Sequence, residues 1–226
     1  MSTIRVAIDG PSGAGKSTLA KAAAAALGFL YVDTGAIYRT VGLSARDQGV
    51  DPGDETAVAA MLPSLRVELR YDEAGQQRML LNGRDVSEEI RLPEISRYAS
   101  AVSALPVVRA YLMETQRELA RKHDVIMDGR DIGTVVLPGA EVKVFLTASA
   151  QVRAERRCRE LEERGTPQPF EEVLRDIEDR DFRDTHREAA PLRRAEDAAL
   201  LDTSALDFQQ SLEALLRLVR ERMAGL

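Results

Sequence analysis

Residues 10–17 read Gly-Pro-Ser-Gly-Ala-Gly-Lys-Ser and fit G-x-x-x-x-G-K-S throughout. Glycines let successive backbone N–H groups turn inward around phosphate oxygens, where a Cβ would collide. A helix opening at the end of such a loop aims its positive terminus at the same anion. Lys16 adds a mobile point charge for the β- and γ-phosphates, and Ser17 offers a hydroxyl to magnesium. Gly10, Pro11, Ser12, Gly13, Ala14, Gly15, Lys16, Ser17 and Thr18 are therefore candidate nucleotide contacts. The flanks suit this reading. Residues 4–8 are a short, apolar, β-branched run, the pattern of a buried strand. Residues 16–27 are dominated by alanine, the best helix former, and Gly28 is a helix stop. Residues 29–32 read as a second strand, so the chain opens strand-loop-helix-strand. That alternation favours a parallel sheet covered by helices.

The texture changes after residue 50. Asp51-Pro52 reads as a helix N-cap with proline at the first helical position, and Pro63 ends that segment. Leu65, Val67, Leu69 and Tyr71 alternate with Arg66, Glu68 and Arg70, which predicts a half-buried strand. Residues 72–75 form a turn and 77–81 a further strand. Asn82-Gly83 is a strong hairpin signal, with 84–86 pairing back. An antiparallel element thus interrupts the α/β chain. The α/β order then resumes, with a helix over 106–122, strands over 125–127, 142–146 and 199–201, and a last helix over 207–223. Ser149 is placed to cap the helix after residue 146, and Leu212, Leu215, Leu216 and Val219 keep helical spacing in the last.

Composition narrows the partners. The net charge is -6 over 226 residues, which disfavours general binding to nucleic acid or an anionic membrane. No run is suited to a signal peptide or a membrane span, so a cytoplasmic protein is expected. Cys158 is the only cysteine, which excludes an internal disulfide and reads as a structural or surface thiol. His123 and His186 have no zinc-ligand spacing around them.

Three further segments carry chemistry. Residues 33–39, Asp-Thr-Gly-Ala-Ile-Tyr-Arg, follow the second strand and read as a ligand loop in which Arg39 forks onto phosphate and Tyr38 packs or donates. Residues 125–131 are an apolar strand ending in Asp128, placed to support the magnesium shell, with Arg130 and Asp131 just beyond. Residues 175–187 hold Arg180, Arg183 and Arg187 at helical spacing, a basic stripe for charge on a transferring phosphoryl group. Arg153, Arg156, Arg157 and Arg159 are candidates to join that stripe.

Taken together, IDGPSGAGKST at 8–18, DTGAIYR at 33–39, DGRDIGTVV at 128–136, RDFRDTHR at 180–187 and APL at 190–192 resemble the bacterial cytidylate kinases nearly end to end. The resemblance implies an α/β P-loop kinase with a five-stranded parallel sheet flanked by helices, an antiparallel β insert and a short lid. It implies a core of about 1–36, 105–152 and 188–226, a monophosphate-binding insert of about 37–104 and a lid of about 153–187. ATP with Mg2+ would be the phosphoryl donor, CMP and dCMP the acceptors, and a monomer the expected state. Lys16, Arg130, Arg180 and Arg187 would be catalytic, and Ser17 and Asp128 would serve the metal. Thr34, Tyr38, Arg39, Ser100, Arg109, Arg130, Asp131, Asp184 and Arg187 would bind the acceptor, with Ser100, Arg109 and Asp131 reading cytosine. Many relatives carry Ser where this chain has Thr34, and Gly or Ser after the loop lysine where it has Ser17, small changes that keep hydroxyl or backbone function. Two rivals stand beside this reading. A uridylate- or shikimate-type kinase shares the loop, although the shikimate type lacks the β insert and uses a Gly-Gly run that is absent here. A GTP-dependent switch protein would need N-K-x-D, and the one D-x-x-G, at 72–75, falls in a hairpin turn.

Overall fold

A computed structural model describes residues 3–225. They form β1 (Arg5–Asp9), α1 (Lys16–Leu27), β2 (Leu30–Asp33), α2 (Thr34–Asp47), α3 (Glu55–Met61), β3 (Val67–Tyr71), β4 (Gln77–Leu81) and β5 (Arg84–Asp85). There follow α4 (Pro93–Val102), α5 (Pro106–Lys122), β6 (Val125–Gly129), β7 (Val142–Thr147), α6 (Ala150–Glu163), α7 (Phe170–His186), β8 (Ala199–Asp202) and α8 (Phe208–Ala224). They divide into two compact units: residues up to Tyr31 with those from Lys122 onward, and Val32–Arg121.

The first unit is built on a five-stranded parallel sheet in the order β2-β6-β1-β7-β8. β1 lies at its centre, paired parallel with β6 (Asp9 opposite Gly129) and with β7 (Asp9 opposite Phe145). Its apolar residues are buried on both faces, which explains an unbroken hydrophobic run in place of alternation. Helix α1 lays Leu19, Ala20, Ala23 and Ala24 against Val6, Ile8, Ile126, Val144 and Leu146. Small side chains on the helix let its backbone approach the sheet closely. Gly28 ends the helix in the left-handed conformation (φ 72°). Leu215 and Val219 of α8 complete this core, with Leu212 and Leu216 packed at its margin. Asp207 and Gln210 cap that helix reciprocally. Helices α6 and α7 form a hairpin around Ala154, Leu161, Val173 and Ile177. Cys158 packs against this cluster, which gives it the structural place expected of it.

The second unit holds the antiparallel sheet β3-β4-β5 with helices α2 to α5. Asn82 (φ 51°) and Gly83 (φ 83°) turn β4 into β5 with positive φ at both positions, as the Asn-Gly pair implies. In the 72–75 turn the Asp72 carboxylate accepts from the N–H groups of Ala74 and Gln76. The D-x-x-G there is a hairpin loop, as its place in the sequence suggested. Gly42 lets α2 and α4 touch, since a Cβ there would lie 2.9 Å from the Ala99 nitrogen.

Two expectations are corrected. Asp51 does not cap a helix; its carboxylate accepts from Gly53 N, and α3 begins at Glu55 with Asp54 accepting from Ala57 N. The Asp51 carboxylate is taken up by the 51–54 turn, and the second aspartate takes the cap. β5 ends at Asp85, and Val86 N donates to Met79 O at 2.8 Å, so residues 84–86 pair back as expected. The 34–39 segment is no loop but the first turns of α2, with Asp33 as N-cap accepting from Ala36 N at 2.9 Å.

The closeness of α1 to the sheet gives a testable contrast. Ala20→Leu should destabilise the fold by about 1–3 kcal/mol through overpacking, whereas Ala25→Leu on the exposed face of α1 should be nearly neutral. Urea melts of both variants measure the difference.

Candidate active site

The phosphate-binding loop leaves β1 and must turn at once beneath β7. A Cβ on Gly10 would lie 1.9 Å from the carbonyl oxygen of Leu146, so no other residue fits. Gly13 (φ 74°) and Gly15 (φ 84°) adopt the left-handed conformation that turns the loop into α1. Ala14 is buried beneath it, whereas Ser17 and Thr18 at the start of α1 are exposed.

Lys16 is buried, and its Nζ donates to the Pro11 carbonyl at 2.7 Å. Burial holds its pKa well below the ordinary lysine value; the positive charges of Arg130 and Arg180 push it down further, and Asp128 and Asp9 oppose the shift. An ammonium kept in so dry and cationic a place is stabilised by an arriving polyphosphate.

Asp128 closes β6 and is buried. Its Oδ2 accepts from Ser17 Oγ at 2.9 Å and its Oδ1 from the Tyr31 hydroxyl at 2.9 Å. Among the described residues no group of three or more His, Cys, Asp or Glu side chains is arranged to hold a metal ion. Magnesium does not require one: it keeps several waters and takes one or two protein oxygens beside substrate phosphates. The adjacent hydroxyl and carboxylate of Ser17 and Asp128 fit that demand.

Past β6, arginines and carboxylates pair. Arg130 Nε donates to Asp184 Oδ2 at 2.8 Å, and Arg187 Nη2 lies 3.4 Å from Asp131 Oδ1. Both carboxylates are buried. Burial raises the Asp184 pKa, but Arg130, Arg180 and Arg187 outweigh it and hold the group below the ordinary aspartate value. Asp9, at the end of β1, is pushed up to about 6 by burial; backbone N–H bonds from Gly133 and Ile132 and the charge of Lys16 pull down, and Asp131 pushes up.

The basic stripe is only partly realised. Arg187 lies beyond α7 in extended conformation, and its Nε donates to Ala190 O. Arg183 is exposed and turned back onto the Asp179 carbonyl, so the single shared face of Arg180, Arg183 and Arg187 does not form. Helix α7 ends one residue too soon for it. Of the upstream group only Arg153 reaches the loop. It is buried, donates to Ser12 O at 2.9 Å and pairs with Asp181 at 2.5 Å. Arg156 bonds Thr203 O, Arg157 pairs with Glu160, and Arg159 turns to Glu155 O. His186 stacks on Phe182 at the exposed surface.

In the second unit, Thr34 and Tyr38 are buried in α2. The Arg109 guanidinium of α5 lies over the Tyr38 ring, 5.7 Å from its centroid, and donates to Ser103 O. The Ser103 hydroxyl in turn donates to Ser100 O. Arg39 pairs with Asp33 at 3.5 Å and remains partly exposed. Sequence reasoning passed over Asp9, Tyr31, Asp181 and the particular role of Arg153. For Asp9 a signal existed, a carboxylate closing a buried strand just before the glycine loop. For the others only the folded contacts reveal the partner.

A parallel sheet with this glycine loop after its central strand, and a carboxylate near the end of the neighbouring strand bonded to Ser17, defines a P-loop nucleotide-binding protein. The family model for cytidylate kinase matches residues 6–221. A cytidylate kinase from Lactobacillus johnsonii is 48% identical over 97% of this chain and 95% of its own length. One from Carboxydothermus hydrogenoformans is 49% identical over 96% of this chain and 97% of its own length. One from Caldicellulosiruptor bescii is 47% identical over 96% of both. The chain belongs to the cytidylate kinase family. A solved shikimate kinase from Bacteroides thetaiotaomicron covers 96% of this chain and 98% of its own at 16% identity and a TM-score of 0.45, too distant to build on.

Asp184 provides a pH test. Its lowered pKa means that its contribution is present above the unfolded value of about 3.9 and lost as pH falls through the folded one. Asp184→Asn should cost about 3 kcal/mol at pH 7 by removing the buried carboxylate that Arg130 rests on, and the gap to the unsubstituted protein should close as pH falls through the lowered folded-state pKa. Thermal melts across that range measure it.

Proposed function

We propose that the protein transfers the γ-phosphoryl group of ATP to CMP or dCMP, giving ADP and CDP or dCDP. The observation that carries the reading is the group of cations in one unit, Lys16, Arg130, Arg180 and Arg187, balanced by Asp128, Asp131 and Asp184, in a chain of the cytidylate kinase family. Arginines that rest on carboxylates are oriented beforehand, and phosphate oxygens replace the carboxylates without a large reorganisation.

Each residue then has a task. The N–H groups of the 10–17 loop cradle the donor's phosphates, and Lys16 leaves Pro11 O for the β- and γ-phosphates. Ser17 and Asp128 would hold Mg2+, which supplies charge neutralisation on the phosphate oxygens when bound. Arg180 and Arg187 stabilise charge on the group in transfer, and Arg130 fixes the acceptor's phosphate. Asp131 accepts from the cytosine amino group, and Asp184 orients Arg130 and serves the sugar. From the second unit, Arg39 is assigned to phosphate, Thr34 and Tyr38 to the acceptor, and Ser100 and Arg109 to the base. Residues of about 37–104 act as the monophosphate-binding insert and those of about 153–187 as the lid over ATP, in a protein that works as a cytoplasmic monomer. Charge redistribution in the transition state, more than ground-state binding, is where these cations act.

A coupled assay of ADP release against CMP, dCMP, UMP and AMP tests the reading. An ionised carboxylate accepts the cytosine amino proton and repels the uracil carbonyl. Arg109 donates to the cytosine ring nitrogen, where uracil carries an N–H, and two mismatched polar contacts at about 1–3 kcal/mol each predict that CMP exceeds UMP by about 30-fold or more in kcat/KM. Asp131→Asn should narrow that ratio; an unchanged ratio would confine Asp131 to holding Arg187. Lys16→Ala should lower kcat by on the order of 100-fold in a folded protein, and near-normal turnover would remove the role given to it.

A further inference from the structure

The turn after β6 has a capping arrangement that its local sequence does not supply. Residues Ile132–Val136 form a short π-type helical turn, with Val135 N and Val136 N donating to Asp131 O and Leu137 N donating to Ile132 O. Asp131 occupies the N-cap position, yet its side chain makes no capping bond and lies toward Arg187. The opening N–H groups of the turn are buried and need acceptors. They find them 123 and 124 residues away in the chain: Ile132 N donates to Asp9 Oδ1 at 2.7 Å and Gly133 N to Asp9 Oδ2 at 2.7 Å. Asp9 is 5% exposed, and it immediately precedes Gly10 of the phosphate-binding loop.

We infer that Asp9 is a positioning residue for the acceptor side of the reaction. Its carboxylate caps the 132–136 turn from the central strand in place of Asp131, whose side chain pairs with Arg187, and sets where Arg130 and Asp131 stand relative to the phosphate-binding loop. The inference rests on the acceptor roles proposed above for those two residues. Space at the contact is tight. A Cβ on Gly133 would lie 3.3 Å from Asp9 Oδ2 and 3.2 Å from Lys143 Cδ, so a methyl group there requires the Asp9 carboxylate, the Lys143 stem or the turn to give by a few tenths of an ångström. The charged groups facing Asp9 are Asp131 from the turn and Lys16 from α1, with the Lys143 stem of β7 bordering Gly133. Protonation of Asp9 turns an acceptor oxygen into a donor and releases one of the two N–H bonds.

The test compares Asp9→Asn, which keeps one acceptor, Asp9→Ala, which keeps none, and Gly133→Ala, which leaves Asp9 intact. At pH 7.5 Asp9→Asn should raise KM for CMP about tenfold, the usual scale for one charged hydrogen bond, with KM for ATP changed less than about twofold on the same scale. Asp9→Ala should raise KM for CMP further and Gly133→Ala less. Both proteins see the titration of the acceptor's own phosphate, near pH 6. The informative quantity is therefore the ratio of KM for CMP between Asp9→Asn and the unsubstituted protein, which should fall toward one as pH drops through about 6. Amide exchange at Ile132 and Gly133 should quicken in all three variants. If Asp9→Ala does not fold, the other two carry the test. Equal rises in KM for ATP and CMP, or a lowered melting temperature with unaltered KM values and unaltered exchange at 132 and 133, would overturn the inference. A protein that does not turn over CMP would defeat the proposed function, while the exchange measurement would still decide whether Asp9 holds the turn.

Discussion

The parallel pairing of β1 with β6 on one side and β7 on the other is the constraint from which the rest of this site follows. Because Asp9 stands opposite both Gly129 and Phe145, the central strand and its neighbours end at nearly the same level. The glycine loop and the 130–136 turn must therefore emerge side by side. The close passage of Gly10 under the Leu146 carbonyl follows from the same register, as does the meeting of Ser17 with Asp128 across 111 residues of chain. Ligand sites outside the carboxyl ends of parallel strands owe their existence to this geometry.

Charge balance is the second organising principle. Bringing Lys16, Arg130, Arg180 and Arg187 into one unit would be costly if each kept an uncompensated charge. Asp128, Asp131 and Asp184 lie among them, and the lowered pKa of Asp184 shows that the attraction outweighs its burial. Lys16 is less well balanced, and burial with two neighbouring arginines depresses its pKa. A polyanion relieves the lysine and can take over the arginines from their carboxylates. The carboxylates hold the guanidinium groups of Arg130 and Arg187 in place, and a planar guanidinium so held is suited to take phosphate oxygens under the proposed function.

The sequence by itself determined the elements whose signals are local. Alanine content and Gly28 marked α1 to the residue, Asn82-Gly83 marked its hairpin, and the G-x-x-x-x-G-K-S spacing marked the phosphate-binding loop, since each depends on backbone conformations that few residues tolerate. The strand ending in Asp128 was legible because a buried parallel strand leaves an apolar run. What only the tertiary structure decided are matters of partner choice. Asp33 and Asp54 took caps that local reading gave to a loop and to Asp51, because competing aspartates a few residues apart differ only in what the chain does around them. Of four arginines near residue 156, Arg153 alone reaches Ser12, a distinction set by the direction in which α6 leaves β7. Asp9 bonds to N–H groups more than 120 residues away, and no spacing rule foretells which buried carboxylate will meet which turn. Periodicity and turn chemistry reside in neighbouring residues, whereas a charge finds its partner only once the sheet has brought distant strands to one edge.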